Sequence, residues 1–261
     1  MTTAIETKFE RIALHIHSGV ARIVLRNPPL NVIDFPMMDE VARALVEIDS
    51  HAEVSVITLI GEGKGFSAGV DVAAHTPDKV QEMLGKFHGI IRALVATRKV
   101  TVAFVHGPCL GGGAELAMVC DFVHTTDSAQ WGFPEIKLGC YPPVACAALA
   151  SLVGQKRAAD LILTGRTVTG DAAAEFGLAT RAFAEDRISS VIEESIGHLL
   201  TLSPAALAVA KKAFYAWDSM HFDKGLARAE KTYVEDLMKT ADAHEGVRAF
   251  MEKRQPKWTG K

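Results

Sequence analysis

The sequence predicts an α/β fold on a mostly parallel sheet, followed by a helical C-terminal stretch. Three observations carry this. Apolar runs of strand length at Val54 to Ile60, Val100 to Val105 and Cys120 to Thr125 alternate with segments of helical period. The glycine triplet Gly111-Gly112-Gly113 stands between one such run and a short apolar helix. From about Pro142 onward the pattern becomes helical almost throughout.

The elements follow in order. Ile12 to His17 and Val20 to Arg26 flank Ser18-Gly19 and read as an antiparallel hairpin. Asn27-Pro28-Pro29-Leu30-Asn31 is a turn, because neither proline can donate to a ladder. Phe35 to Ile48 has helical spacing, with Pro36 in its first turn. Val54 to Ile60 is a buried strand closed by the glycines of 61–65, and about Asp78 to Thr97 is an amphipathic helix. Val100 to Val105 is the next strand, Ala114 to Cys120 a short buried helix, and Cys120 to Thr125 another strand. Helices are expected at Val144–Val153, Gln155–Leu163, Asp171–Phe176, Ile188–Leu202, Pro204–Trp217, Phe222–Thr240 and Ala241–Lys253, with one late strand at Ala179 to Phe183. The apolar faces of the last helices need a cover, which points to a subunit interface.

Composition removes several function classes. A chain of 261 residues, 49% hydrophobic and 23% charged, can bury a sizeable core. A net charge of −3 without a sustained Lys/Arg run leaves no footprint for nucleic acid. No apolar stretch approaches the roughly 20 residues needed to span a bilayer, so no membrane role is expected. Met1 to Glu6 lacks a basic region leading into an apolar one, so no signal peptide is expected. Cys109, Cys120, Cys140 and Cys146 show no C-x-x-C spacing, which fits reduced thiols and no metal site. The expectation is a cytoplasmic protein.

Chemistry concentrates in two turns twenty residues apart. Glu115 falls in the first turn of the short buried helix, and Glu135 in Trp131-Gly132-Phe133-Pro134-Glu135-Ile136-Lys137-Leu138-Gly139. A buried carboxylate is costly unless it is partnered, neutralised or used. The helix N-terminus beside it offers free N–H groups and a positive dipole end, a natural place for a developing oxyanion. Gly65-Phe66-Ser67-Ala68-Gly69 matches G-x-S-x-G, but 61–65 separate Ser67 from the strand and no long helix follows, as a nucleophile elbow requires. Neither a P-loop nor a dinucleotide fingerprint is present.

Phe66-Ser67-Ala68-Gly69-Val70-Asp71-Val72, Gly111 to Ala117 and Phe133 to Gly139 resemble, in order and spacing, the enoyl-CoA hydratase/isomerase (crotonase) superfamily. Glu245-Gly246-Val247-Arg248-Ala249-Phe250-Met251-Glu252-Lys253-Arg254 is similar to its C-terminal signature. The resemblance implies a spiral core of ββα units over residues 1–195, and a helical trimerisation region over 196–261. It further implies assembly as a homo-trimer or as a homo-hexamer made from two trimers. It implies an acyl-CoA thioester as ligand, with coenzyme A belonging to the substrate and no separate cofactor. By position it puts an oxyanion hole on the backbone N–H groups of Val70 and Gly112, and acid–base chemistry on Glu115 and Glu135. Coenzyme A contacts would fall on Ala68, Asp71, Val72, Phe250, Lys253 and Arg26.

Both glutamates are retained, which favours addition or loss of water. Asn27 to Val32 together with Pro142-Pro143-Val144-Ala145 resembles the cyclohexa-1,5-diene-1-carbonyl-CoA hydratases of anaerobic aromatic degradation. Trp131 and Tyr141 would then wall a flat, ring-bearing acyl group. General short-chain enoyl-CoA hydration, enoyl-CoA isomerisation, ring-opening hydrolysis of a 6-oxo-acyl-CoA and non-catalytic acyl-CoA binding remain as alternatives.

Overall fold

The chain opens with an antiparallel hairpin, β1 (Ile12–His17) and β2 (Val20–Leu25), and every strand added to β2 afterwards is parallel to its neighbour. A computed structural model describes residues 9–215 and 218–260. Helix α1 (Phe35–Ser50) is capped by Asp34, whose carboxylate accepts the Met37 N–H at 2.9 Å, with Pro36 in the first turn. Strand β3 (Val56–Gly61), helix α2 (Val80–Ala96) and strand β4 (Val100–Val105) follow as expected. All six residues of β4 are buried, as a central parallel strand covered on both faces must be. After β5 (Pro108–Leu110) and α3 (Gly112–Met118), strand β6 (Phe122–Thr126) joins the sheet. It starts two residues later than the apolar pattern suggests, because Cys120 still belongs to the turn closing α3 and Asp121 accepts the Thr101 N–H at 2.7 Å.

Two more short strands follow, β7 (Gln130–Gly132) and β8 (Thr167–Thr169). They flank α4 (Pro143–Val153) and α5 (Gln155–Thr164) and form a second sheet in the order β5-β7-β8. Each strand of that sheet has only three residues, too few to leave an alternating pattern in the sequence. Helix α6 (Gly170–Phe176) leads to β9 (Arg181–Phe183), which completes the main sheet in the order β1-β2-β3-β4-β6-β9.

Helices α7 (Ile188–Leu200), α8 (Pro204–Tyr215), α9 (Asp218–Glu235) and α10 (Ala241–Met251) end the chain. The expected helix end at Trp217 and the Met1 to Glu6 segment lie outside the described residues. Helix α9 packs on α4 and α2, burying Leu226 and Tyr233 in the same core as the sheet. Part of the apolar surface that seemed to need a partner is therefore covered within the chain. Helix α8 still leaves Val209 and Phe214 exposed. Among the described residues no helix is long and apolar enough to cross a membrane.

Candidate active site

Two loops from different parts of the chain meet under α2. Isolated parallel bridges tie Ser67 to Cys109 and Val70 to Ile33, holding the 67–70 segment beside the glycine triplet. Ser67 is buried: its hydroxyl donates to the Asn31 carbonyl at 2.7 Å and accepts the Gly69 N–H at 3.1 Å. It is a brace for the loop, which disposes of the G-x-S-x-G pattern as a nucleophile.

The brace sets the next residue against the start of α3. A β-carbon on Gly112 would sit 2.6 Å from Val70 Cγ2 and 3.3 Å from Val70 N, so only glycine permits this approach. Neither the Val70 nor the Gly112 N–H has an acceptor among the described residues. Gly111, at φ 51° and ψ −126°, turns the chain into α3 where a β-carbon would meet Glu135 Oε1 at 2.6 Å.

Glu115, in the first turn of α3, is buried at 3% exposure. Its Oε1 accepts the N–H groups of Val144 at 2.8 Å and Ala145 at 3.0 Å, two of the free donors at the start of α4. Oε2 has no protein partner among the described residues. Burial pushes the Glu115 pKa up, while the nearby His88 and the two N–H donors pull the other way. Glu135 lies in a single 3-10 turn, Pro134–Leu138, and its Oε2 is buried without a hydrogen-bond partner. Burial first, and the Glu115 charge second, raise its pKa well above the carboxylate range. Both carboxyl groups are therefore pushed toward the protonated form, and the two N–H donors favour charge on Glu115.

One cavity collects these groups: Val70, Gly112, Glu115 and Glu135 all line it, together with Ala68 and Val72. Tyr141 also lines it, fixed by its hydroxyl donating to the Ala229 carbonyl at 2.6 Å and by an edge-on contact with Tyr233 at 5.1 Å between centroids. Trp131 does not. It is fully buried on β7, its indole N–H donating to Thr125 Oγ1 at 3.0 Å, so the expectation that it walls the acyl group is corrected to a core role. Asp71 caps the short 3-10 turn Val72–His75 by accepting the Ala73 N–H at 3.0 Å. Arg26, Phe250 and Lys253 are all exposed and stand off the cavity wall; on the C-terminal helix it is Val247 that reaches it.

Sequence reasoning missed His75, His88 on α2 and Tyr233 on α9, all of which line the cavity. His88 had a legible signal, since it stands among Leu84, Phe87 and Ile91 on the apolar face of an amphipathic helix. Tyr233 had none, because only the return of α9 brings it to the site.

The enoyl-CoA hydratase/isomerase family model matches residues 15–261. A cyclohexa-1,5-dienecarbonyl-CoA hydratase of Thauera aromatica is 32% identical over 248 residues, covering 95% of this chain and 96% of that protein. A protein of Rhizobium meliloti named "Probable enoyl-CoA hydratase" is 35% identical over 253 residues, covering 95% and 97%. The crystal structure of an enoyl-CoA hydratase from Mycobacterium avium subsp. paratuberculosis superposes with a TM-score of 0.87 at 28% identity, covering 97% of this chain and all of that one. The chain is an enzyme of the enoyl-CoA hydratase/isomerase family.

Proposed function

We propose that this enzyme adds water across a carbon–carbon double bond conjugated to a coenzyme A thioester. The observation that carries the reading is a pair of buried carboxyl groups lining one cavity with two backbone N–H groups that have no acceptor among the described residues. In this reading the N–H groups of Val70 and Gly112 hold the thioester oxygen and stabilise the enolate that forms as the β-carbon is attacked. Glu115 takes a proton from the attacking water, and protonated Glu135 delivers one to the α-carbon. No redox or metal chemistry is required, and coenzyme A enters with the substrate. Ala68, Asp71 and Val72 would follow the pantetheine arm, with Arg26, Phe250 and Lys253 toward the nucleotide. Exposed Val209 and Phe214 on α8 suit a trimer or hexamer contact.

For the acyl group, the reading favours a flat cyclic dienoyl thioester, cyclohexa-1,5-diene-1-carbonyl-CoA. Support comes from the Thauera aromatica relative and from the rigid wall made by Tyr141 and Pro143. The test is turnover of purified protein on that ester beside crotonyl-CoA, scored by mass for a gain of water. Hydration of the cyclic ester supports both levels of the proposal. Hydration of crotonyl-CoA alone discards the ring, and hydration of neither discards the hydratase.

A further inference from the structure

Among the polar groups of the cavity that the two-glutamate scheme does not use, one is a buried imidazole. His88 is 1% exposed on the buried face of α2, and its ring lines the same cavity as Glu115 and Glu135. Its Nδ1 lies 2.8 Å from Oε1 of Glu230 on α9. Glu230 is itself gripped by Arg92, whose Nη2 donates to both carboxylate oxygens at 2.9 Å. Partial burial works against its ionisation, but the contacts with His88 and Arg92 win and bring it down to about 2. An ionised Glu230 accepts only, so Nδ1 of His88 must carry the hydrogen between them. At the other end of the ring, Nε2 is buried and has no hydrogen-bond partner among the described residues.

An unpartnered buried nitrogen is costly, and an apolar residue would pack the same face of α2 at less expense. The Arg92–Glu230 pair, brought from two helices, fixes the orientation of the imidazole. That arrangement resembles the way a catalytic imidazole is held by a carboxylate behind it. Nε2 can accept a hydrogen bond when the ring is neutral, and the proton inventory of the cavity offers it one. A water held between ionised Glu115 and protonated Glu135 donates one hydrogen to Glu115 and accepts the one from Glu135. Its second hydrogen still needs an acceptor.

We propose that His88 Nε2 is that acceptor, making His88 a water-positioning residue and Glu230 the group that sets its tautomer. This rests on the hydratase reading above. As the new C–O bond forms at the β-carbon, one O–H bond of water breaks and its proton passes to Glu115 Oε2. The enolate collapses by taking the proton of Glu135 at the α-carbon. The remaining hydrogen stays on the new hydroxyl, still bonded to His88 Nε2. A proton then returns from Glu115 to Glu135 before the next turnover. The same contact therefore recognises the β-hydroxyl of the product, and His88 selects 3-hydroxyacyl over saturated acyl thioesters.

The experiment compares binding of 3-hydroxybutyryl-CoA and butyryl-CoA to wild type, His88→Phe and Glu230→Gln, alongside crotonyl-CoA kinetics. Butyryl-CoA binding doubles as the check that each variant is folded. The preference for the hydroxylated ester is expected to shrink about 3- to 10-fold in both variants, as for one lost hydrogen bond. The kcat for hydration is expected to fall about 10- to 100-fold with KM changed little, as for one misplaced reactant. A preference that survives both substitutions overturns the inference, since a structural histidine would weaken the two esters alike. Imidazole 15N spectra of wild type decide independently of any variant. His88 with Nδ1 protonated and Nε2 bare supports the assignment, and a proton on Nε2 overturns it. If wild type hydrates crotonyl-CoA but the preference is unmoved, only this inference falls. If wild type hydrates no enoyl-CoA, the hydratase reading falls and takes this one with it.

Discussion

Oε1 of Glu115 accepts the backbone N–H of Val144 at 2.8 Å, across 29 residues of chain. Pro142 and Pro143 open α4, and Pro143 has no N–H to give, so Val144 and Ala145 carry the first donors of that helix. Glu115 takes both, which stabilises its charge and fixes its carboxylate in place while Oε2 stays available to the cavity. The side chain proposed as the base is also the cap of α4.

That double duty separates two substitutions. Glu115→Gln keeps an oxygen for the two N–H groups, so the melting temperature should change little while kcat falls by about 10²- to 10⁴-fold, the usual weight of a general base. Glu115→Ala should also strand two buried donors and destabilise the fold by about 1–3 kcal/mol. Calorimetry beside steady-state hydration distinguishes them; a full loss of fold in Glu115→Gln would show that the charge itself is structural.

Glu135 imposes a pH signature. Its native pKa stands well above the carboxylate range because of burial and the Glu115 charge. Between the unfolded and the native pKa the folded state binds more protons, so stability falls as pH rises through that window. Glu135→Gln removes this contribution. The variant should gain stability relative to wild type as pH climbs above the ordinary carboxylate range, measured as melting temperature against pH. Parallel curves for the two proteins would rule out the protonated assignment. In wild type, hydration should decline on the alkaline side as Glu135 ionises.

Gly112→Ala probes the oxyanion hole proposed at Val70 and Gly112. The added β-carbon meets Val70 Cγ2 at 2.6 Å and Val70 N at 3.3 Å, closing the gap between the two donors. Losing such a donor typically costs about 3–4 kcal/mol of barrier, a drop of roughly 10²- to 10³-fold in kcat. Unchanged kcat would mean that the thioester oxygen binds elsewhere.

Ser67 should be inert toward serine-hydrolase reagents. Its hydroxyl is buried and engaged with Asn31 and Gly69, with no histidine in contact. A fluorophosphonate probe is expected to leave the protein unlabelled. Ser67→Ala should cost about 1 kcal/mol of stability, the net worth of a typical hydrogen bond. Labelling at Ser67 would reopen the hydrolase alternative.

Much of the molecule could be read along the chain. Strands β1 to β4, the helices of regular period and the two glutamates lie in patterns that are local, because periodicity, glycine and proline act over a few residues. The family resemblance carried by the motifs implied that Glu115, Glu135, Val70 and Gly112 lie together, and one cavity is lined by all four. The three-residue strands β5, β7 and β8 left no trace, since their pairing energy comes from neighbours far away in sequence.

Roles that depend on what meets across the fold were decided only by the tertiary structure. Trp131 and Tyr141 looked equivalent as aromatic walls, yet the β7 register turns one into the core while a contact with α9 fixes the other at the cavity. The sequence already spoke against Ser67 as a nucleophile, but only the fold showed what its hydroxyl does, which is to brace the loop on Asn31. Burial and the neighbouring Glu115 raise the Glu135 pKa, while α4 gives its first N–H groups to Glu115, and both depend on contacts made far apart in the chain. Which residues can do chemistry is a property of side chains and is written in the sequence; which of them is charged, paired or left open depends on burial and distance, and those exist only once the chain has folded.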